Sequence, residues 1–215
     1  MNPKDMLEEG LRGLGYTPAD SMLDSFMRYM AELKRWQKAY SLSSLRKDED
    51  IVVKHFLDSA LFLNALRDTL GSGIMEGYSI ADIGSGAGFP GIPIKIIEPA
   101  LRVSLIEPSW KKSAFQKHVI GLLGLRGIEA IQKRAEDMDD SSFDIVLSRA
   151  LYSIKEFIDN TAMLVNKGGI RMLGKGPAVS MELKDIKDIP YEIKTLDLPF
   201  SDIKRYFVII TNNAL

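Results

Sequence analysis

Residues 80–93 read Ile80-Ala-Asp-Ile-Gly-Ser-Gly-Ala-Gly-Phe-Pro-Gly-Ile-Pro93. A short apolar run enters closely spaced glycines and leaves through a helical pattern, Ile92 to Glu98. In an α/β sheet this is where a nucleotide-type ligand sits, because the backbone can approach it closely and helix N–H groups face it. Two registers fit the stretch. Gly86-Ala-Gly88-Phe-Pro-Gly91 satisfies the dinucleotide fingerprint G-x-G-x-x-G. Asp82 followed by Gly84-Ser-Gly86-Ala-Gly88 fits D-x-G-x-G-x-G instead.

The second form is that of S-adenosylmethionine-dependent methyltransferases, and local chemistry favours it. In the dinucleotide register Pro90 precedes the third glycine, where it removes an N–H and restrains Phe89 to extended backbone. That suits a phosphate cradle poorly. A ligand without pyrophosphate needs a shallow glycine loop under an amino-acid moiety, with Phe89 as a hydrophobic lid.

Outward from the turn, strands are expected at Ser79 to Ile83, Arg102 to Glu107, Ile128 to Gln132, Phe143 to Ser148 and Gly169 to Lys175. Helices are expected between them at Ser109 to Leu123 and Ile154 to Val165, and after them at Val179 to Asp188. This alternation predicts parallel βαβ units. Tyr191 to Leu198 and Arg205 to Thr211 have no helix between them, so a hairpin should place an antiparallel strand at the sheet edge. Residues 1–75 read as a helical extension and 76–215 as the ligand-binding domain. In the extension Asn2 caps a helix with Pro3 in its first turn, and Thr17 caps a second. The second buries Leu23, Phe26, Met27, Met30 and Leu33, with Met22 also read as core. A third follows Asp48-Glu49-Asp50 to about Arg67, before Gly71, Gly73 and Gly77.

Composition narrows the chemistry. The 215 residues include no cysteine, which excludes disulfide scaffolds, thiolate metal sites and cysteine nucleophiles. No apolar run is long enough to cross a bilayer. The chain is expected to be soluble, cytoplasmic and, by default, monomeric, with no membrane or metal partner. Its formal net charge of −1 at first disfavours a nucleic-acid partner. Three windows nevertheless lack acids: Leu33 to Lys47, Pro108 to Ile128 and Asn160 to Met181. Those 58 residues carry 12 of the 28 bases. Converging on one face, they would form a basic rim hidden in a neutral total.

Glu107 ends the second strand, where an acid accepts hydrogen bonds from ribose hydroxyls in both ligand families. Ala135 and Glu136 follow the third strand and could frame an adenine. Carbon-5 pyrimidine methylation commonly needs the missing cysteine, and the D/N-P-P-Y/F loop of many amine methyltransferases is replaced by Ser148-Arg149-Ala150-Leu151. A ring nitrogen such as guanine N7 already offers a lone pair, so no general base is expected. Arg149 and Lys175 are then assigned to alignment, Arg149 at a ligand group, guanine O6 or phosphate, and Lys175 at substrate phosphate. Arg149 paired with a nearby acid is the structural alternative. His55 and Asp58, at i and i+3, either face the cleft or join the extension to the core, the second being preferred.

Together these pieces resemble the bacterial 16S ribosomal RNA guanine-N7 methyltransferases, also called glucose-inhibited division protein B. The resemblance rests on Trp36 with Ser41-Leu42-Ser43, Lys54-His-Phe-Leu-Asp-Ser59, the turn at 82–93, and Leu105-Ile-Glu107 with Lys111, Lys112 and Phe115. It continues through Arg134-Ala-Glu136, Ser148-Arg-Ala150 and Gly174-Lys-Gly176. It implies a Rossmann-like seven-stranded S-adenosylmethionine-dependent methyltransferase sheet with an N-terminal helical extension, acting on 16S rRNA or the small ribosomal subunit. It implies S-adenosyl-L-methionine contacts at Gly84, Gly86, Phe89, Ala135, Glu136 and Arg149, with Glu107 on the ribose. Where the family usually has Asn-Leu-Thr, this chain has Ser41-Leu42-Ser43, and Lys54 replaces a frequent arginine. The hydroxyls at 41 and 43 could still cap the turn that follows. An NAD-type oxidoreductase, from the other glycine register, and a non-catalytic RNA-binding protein with a vestigial nucleoside pocket are the alternatives.

Overall fold

The computed structural model describes residues 1–40, 42, 45–71, 77–138, 142–149 and 151–212. Expectations for Ser41, Ser43, Gly73 and Ala150 lie outside them. Seven strands form one sheet in the order β3-β2-β1-β4-β5-β7-β6: β1 Ser79–Ile83, β2 Arg102–Ile106, β3 Ile128–Ile131, β4 Phe143–Arg149, β5 Val165–Lys175, β6 Glu192–Asp197 and β7 Lys204–Thr211. β1 to β5 pair in parallel, while β7 is antiparallel to both β5 and β6. The expected hairpin is present, but its edge strand is β6, which runs with the parallel strands. The reversed strand, β7, lies one place inside. Its run Phe207 to Ile210 is apolar and buried, whereas β6 alternates exposed with half-buried residues. The more apolar strand therefore takes the position covered on both faces.

Helices α1 Pro3–Gly13 and α2 Asp20–Gln37 open the chain. The Asn2 side chain accepts the Asp5 N–H and caps α1 as expected. α2 is capped by the backbone of Ala19 rather than by Thr17, its first bonds running from the Met22 and Leu23 N–H groups to the Ala19 carbonyl. Asp20 then stands at the positive helix end. The third expected helix is a continuous run: α3 Asp48–Ile51, a π-helical turn Val52–Leu57, and α4 Asp58–Leu70. α5 Gly91–Ile97 and α6 Trp110–Leu123 follow β1 and β2, α7 Ile154–Asn160 follows β4, and α8 Val179–Glu182 follows β5.

Two further boundaries shift. α7 stops at Asn160, where the Thr161 hydroxyl donates to the Phe157 carbonyl, and a 3-10 turn leads into β5 already at Val165. Val165 pairs with Phe143, and a register shift before Ile145 accommodates the turn at Gly168, whose φ is +78°. Beyond Glu182 the expected helix tightens into a 3-10 turn, Leu183–Ile186.

The helices of residues 1–70 share one apolar core with one face of the sheet. Leu7, Phe26, Phe56 and Phe62 join Ile92, Leu105, Phe115 and Phe207 in a continuous buried cluster, and Met30 joins them while Met22 and Met27 pack partly buried against it. Phe62 meets Phe207 at 4.9 Å between ring centres, and Phe26 meets Phe56 at the same distance. Such sharing predicts one cooperative urea unfolding transition by tryptophan fluorescence and circular dichroism. Phe56→Ala should lower its stability by about 3–5 kcal/mol; two separated transitions would show that the helices fold independently.

Candidate functional site

The glycine turn is built to bend the chain close to two carboxylates. Gly84, Gly86 and Gly88 all have φ between +60° and +96°, a region that side chains rarely adopt. A Cβ on Gly88 would strike Ile92 at 2.4 Å, and one on Gly91 would lie 2.3 Å from Leu105 and 2.9 Å from Asp82 Oδ2. At Gly86 the space is open, with nothing nearer than the Gly84 carbonyl at 3.9 Å. Gly84 is covered by Leu151, whose side chain leans to within 2.0 Å of where its Cβ would stand.

Asp82 is fully buried. Its Oδ2 accepts the Gly91 N–H at 2.8 Å, while Oδ1 has no partner. Burial pushes its pKa up to about 7, against the Gly91 hydrogen bond and the Arg149 charge. Glu107 is also buried, and its two oxygens accept N–H groups of Gly86 and Ser109, both at 2.9 Å. Gln116 donates to the Ser85 hydroxyl and the Gly86 carbonyl at 2.8 Å. The N–H groups that a pyrophosphate would need at Gly86 and Gly91 are thus spent on carboxylates, which disfavours the dinucleotide register on physical grounds.

Phe89 is not a lid. It is 4% exposed and stacked on two rings, His55 at 4.2 Å and 11° and Tyr29 at 5.2 Å and 20°. The Tyr29 hydroxyl in turn donates to the Ala87 carbonyl. Apolar helices on this face of the sheet draw the ring inward, so it forms a wall of the turn rather than a cover.

Arg149, at the end of β4, gathers the site. Its guanidinium lies 5.3 Å from the Phe89 ring centre and donates to the Lys54 carbonyl, to Asp58 Oδ2 at 3.2 Å and to His55 Nδ1 at 3.1 Å. His55 accepts because burial, helped by that guanidinium, holds its pKa down at about 3. Arg205 of β7 donates to the other Asp58 oxygen. His55 and Asp58 therefore both join the helices to the sheet through Arg149, across the π-helical turn. Lys54, Asp58, Phe62, Arg149, Gly174, Lys175, Gly176 and Arg205 line a cavity of about 310 Å³ beside the turn.

The remaining expected residues are placed less centrally. Ala135 is buried in the 3-10 turn after β3 and Glu136 is exposed beside it. Lys175 is buried, donating to the Tyr152 carbonyl and to Glu182 at 2.8 Å, so its charge is already compensated. The third acid-free window does not join a basic rim: Arg171 is buried against Thr161 and Asn212, and Lys167 lies at the opposite end of the sheet beside Asp144 and Asn166. The first two windows do meet, through Trp36 on Phe115 and Tyr40 beside Trp110. Tyr29, Gln116 and Arg205 were not anticipated. The first sits in an ordinary helical stripe, and the other two are single polar residues whose partners lie far away in sequence. Among the described residues, no group of three or more potential metal ligands is assembled and no helix is long and apolar enough to cross a membrane.

Residues 22–200 match the family described as "rRNA small subunit methyltransferase G". A protein of Acetivibrio thermocellus named "Ribosomal RNA small subunit methyltransferase G" is 32% identical over 218 residues, 96% of this chain and 87% of that one. One of the same name from Neisseria meningitidis serogroup A is 32% identical over 213 residues, 98% and 99% of the two chains. Two solved structures share the fold. The magnesium protoporphyrin IX methyltransferase of Synechocystis PCC 6803 with bound SAM has a TM-score of 0.59 at 14% identity, covering 90% of this chain and 98% of that one. The 16S rRNA N2 G1207 methyltransferase of T. thermophilus, with AdoMet and guanosine, has 0.57 at 18% identity over 72% and 42%.

Asp82 gives a pH signature. A carboxyl whose pKa is raised on folding favours the folded state at low pH, and that contribution is lost as pH rises from the ordinary value of 3.8 through about 7. Asp82→Asn keeps an acceptor for Gly91 and carries no charge. Its thermal midpoint should exceed the native one at pH 8, with the gap closing towards pH 4; a gap independent of pH would refute the assignment.

Proposed function

The chain belongs to the rRNA small subunit methyltransferase G family, and from that premise we propose that it moves a methyl group from S-adenosylmethionine to N7 of a guanine in 16S rRNA. Residues 76–215 act as the methyltransferase domain and 1–75 as the helical extension against it. The protein works as a cytoplasmic monomer on small-subunit rRNA.

Two features of the turn fit such a donor. The open space at Gly86 leaves room for a ligand on the backbone, and the unpartnered Oδ1 of buried Asp82 behind the turn suits the ammonium of an amino-acid moiety. Gly84, Gly86, Phe89 and Arg149 would hold the methionyl part, Glu107 the ribose, and Ala135 and Glu136 the adenine. Each Glu107 oxygen can accept a hydroxyl beside the N–H it already takes. When bound, the donor supplies an activated methyl group and carries the positive charge that ends on the base.

The observation that carries the acceptor assignment is the cavity beside Arg149. Lys54 pairs with Asp50 at 2.7 Å and Lys175 with Glu182 at 2.8 Å, which leaves two guanidiniums, Arg149 and Arg205, sharing the single carboxylate of Asp58. One positive charge remains in excess. A guanidinium that donates to O6, the acceptor beside N7 on the same edge, can orient the base without taking a proton and leaves the N7 lone pair free to attack the methyl carbon. No general base is needed, since the attacking nitrogen already bears a lone pair, and the residues contribute alignment and charge placement.

Calorimetry with S-adenosylhomocysteine should show binding to the native chain. Glu107→Ala and Gly86→Ala should each weaken it by at least about tenfold, the second by filling the open space and straining a positive φ. Absence of binding by the native chain would refute the proposal. Mass mapping of rRNA from small subunits incubated with enzyme and donor should show one added methyl group on a guanine, in a form that aniline cleaves after reduction. Binding without that product would return the reading to a vestigial pocket.

A further inference from the structure

Just beyond α2 and in the first turn of α6, three side chains come together at the surface. The Tyr40 and Trp110 rings stand 6.4 Å apart at 72°, and the Lys111 ammonium lies 5.4 Å from the first ring centre and 5.8 Å from the second. Trp110 is 58% exposed. Leaving so large an apolar ring in water forgoes burial that the fold could have used.

The platform is stiff on its inner side. Tyr40 rests on Trp36 at 5.8 Å, and Trp36 packs on Phe115 and His118, each at 5.4 Å. It is also fixed relative to the glycine turn: Trp110 lies three residues beyond Glu107, whose carboxylate holds the N–H of Ser109 at the start of α6. Its surroundings are basic. Lys111, and Lys38 two residues before Tyr40, have no carboxylate within ion-pair distance among the described residues, and Lys112 is 3.9 Å from Glu107. An exposed ring beside uncompensated ammonium groups is the combination that binds single-stranded nucleic acid, with a base on the ring and phosphates on the lysines. The core of a protein-binding patch is instead depleted in charged residues, lysine among them.

Building on the methyltransferase reading, we propose that Trp110, with Lys111 and Tyr40, is the platform on which an unpaired base of the rRNA stacks, outside the methyl-acceptor cavity, and that it sets affinity for the RNA rather than for the methyl donor.

The test uses the full-length chain with Trp110→Ala and Trp110→Phe, and small ribosomal subunits from cells lacking this methyltransferase. The alanine variant should raise KM for the subunits about 5- to 100-fold, leave kcat within about twofold, and bind S-adenosylhomocysteine as the native chain does. Phenylalanine should restore most of the loss, and single-stranded oligoadenylate should quench native tryptophan fluorescence more than that of Trp110→Phe. An unchanged KM in Trp110→Ala, or weakened S-adenosylhomocysteine binding, would overturn the platform while leaving the methyltransferase reading intact. A raised KM without quenching by oligoadenylate would also overturn it, assigning the ring to a ribosomal protein. A native chain that binds no S-adenosylhomocysteine and methylates no subunit would instead remove the reading on which the platform rests.

Discussion

Asp58 has almost no contact with water, and a carboxylate in that position costs on the order of several kcal/mol unless it is paired and hydrogen-bonded. Its two oxygens meet two guanidiniums, Arg149 from the end of β4 and Arg205 from the start of β7. Those strands are separated in the sheet by β5 and in sequence by more than fifty residues. The carboxylate itself starts α4, so one buried charge requires helix and sheet to dock in a single arrangement. Arg149 then has geometry left over: its remaining donors reach the Lys54 carbonyl and His55, and its plane lies near Phe89, the wall of the glycine turn. The glycine turn, the cavity beside Arg149 and the helices of residues 1–70 are therefore mechanically one unit. The π-helical turn at Val52–Leu57 serves the same end, because widening the helix there lets the Lys54 carbonyl and the His55 ring both face Arg149.

The parts of this structure legible in the sequence are those set by short-range pattern. Apolar runs and glycine punctuation located all seven strands, since β propensity, burial and turn chemistry agreed at each. Where they diverged, packing decided. Val165 reads as the end of a helix, yet pairing with Phe143 captures it into β5. The reversed strand was expected at the edge, but the apolar run of β7 outcompeted β6 for the interior position. Within the site, the turn was readable because a strand end followed by closely spaced glycines has few other uses, whereas the bonds that Glu107 accepts from the Gly86 and Ser109 N–H groups were not. Asp58 was readable only as one of two options, since its partners lie 91 and 147 residues away and no local spacing reveals them. Phe89 shows the limit from the other side. Its adjacency to the turn suggested a cover, but two rings from the helical extension, His55 and Tyr29, hold it inside.

The near-zero net charge takes on a different meaning once the bases are located. Arg171 is spent within the fold, Lys175 is neutralised by Glu182, and Lys34 and Arg35 by Asp48 and Glu32. A count along the sequence therefore overstates the basic surface in two of the three windows. What survives at the junction of α2 and α6 is a smaller set, in which Lys111 lies against the exposed Trp110 ring and the half-buried Tyr40 ring. Screening at physiological salt limits an exposed charge to about 8 Å, so a polyanion feels that junction and not the acids elsewhere. A total of −1 is then compatible with a nucleic-acid partner. With long-range attraction this small, a polyanionic partner would have to be held chiefly by short-range contacts.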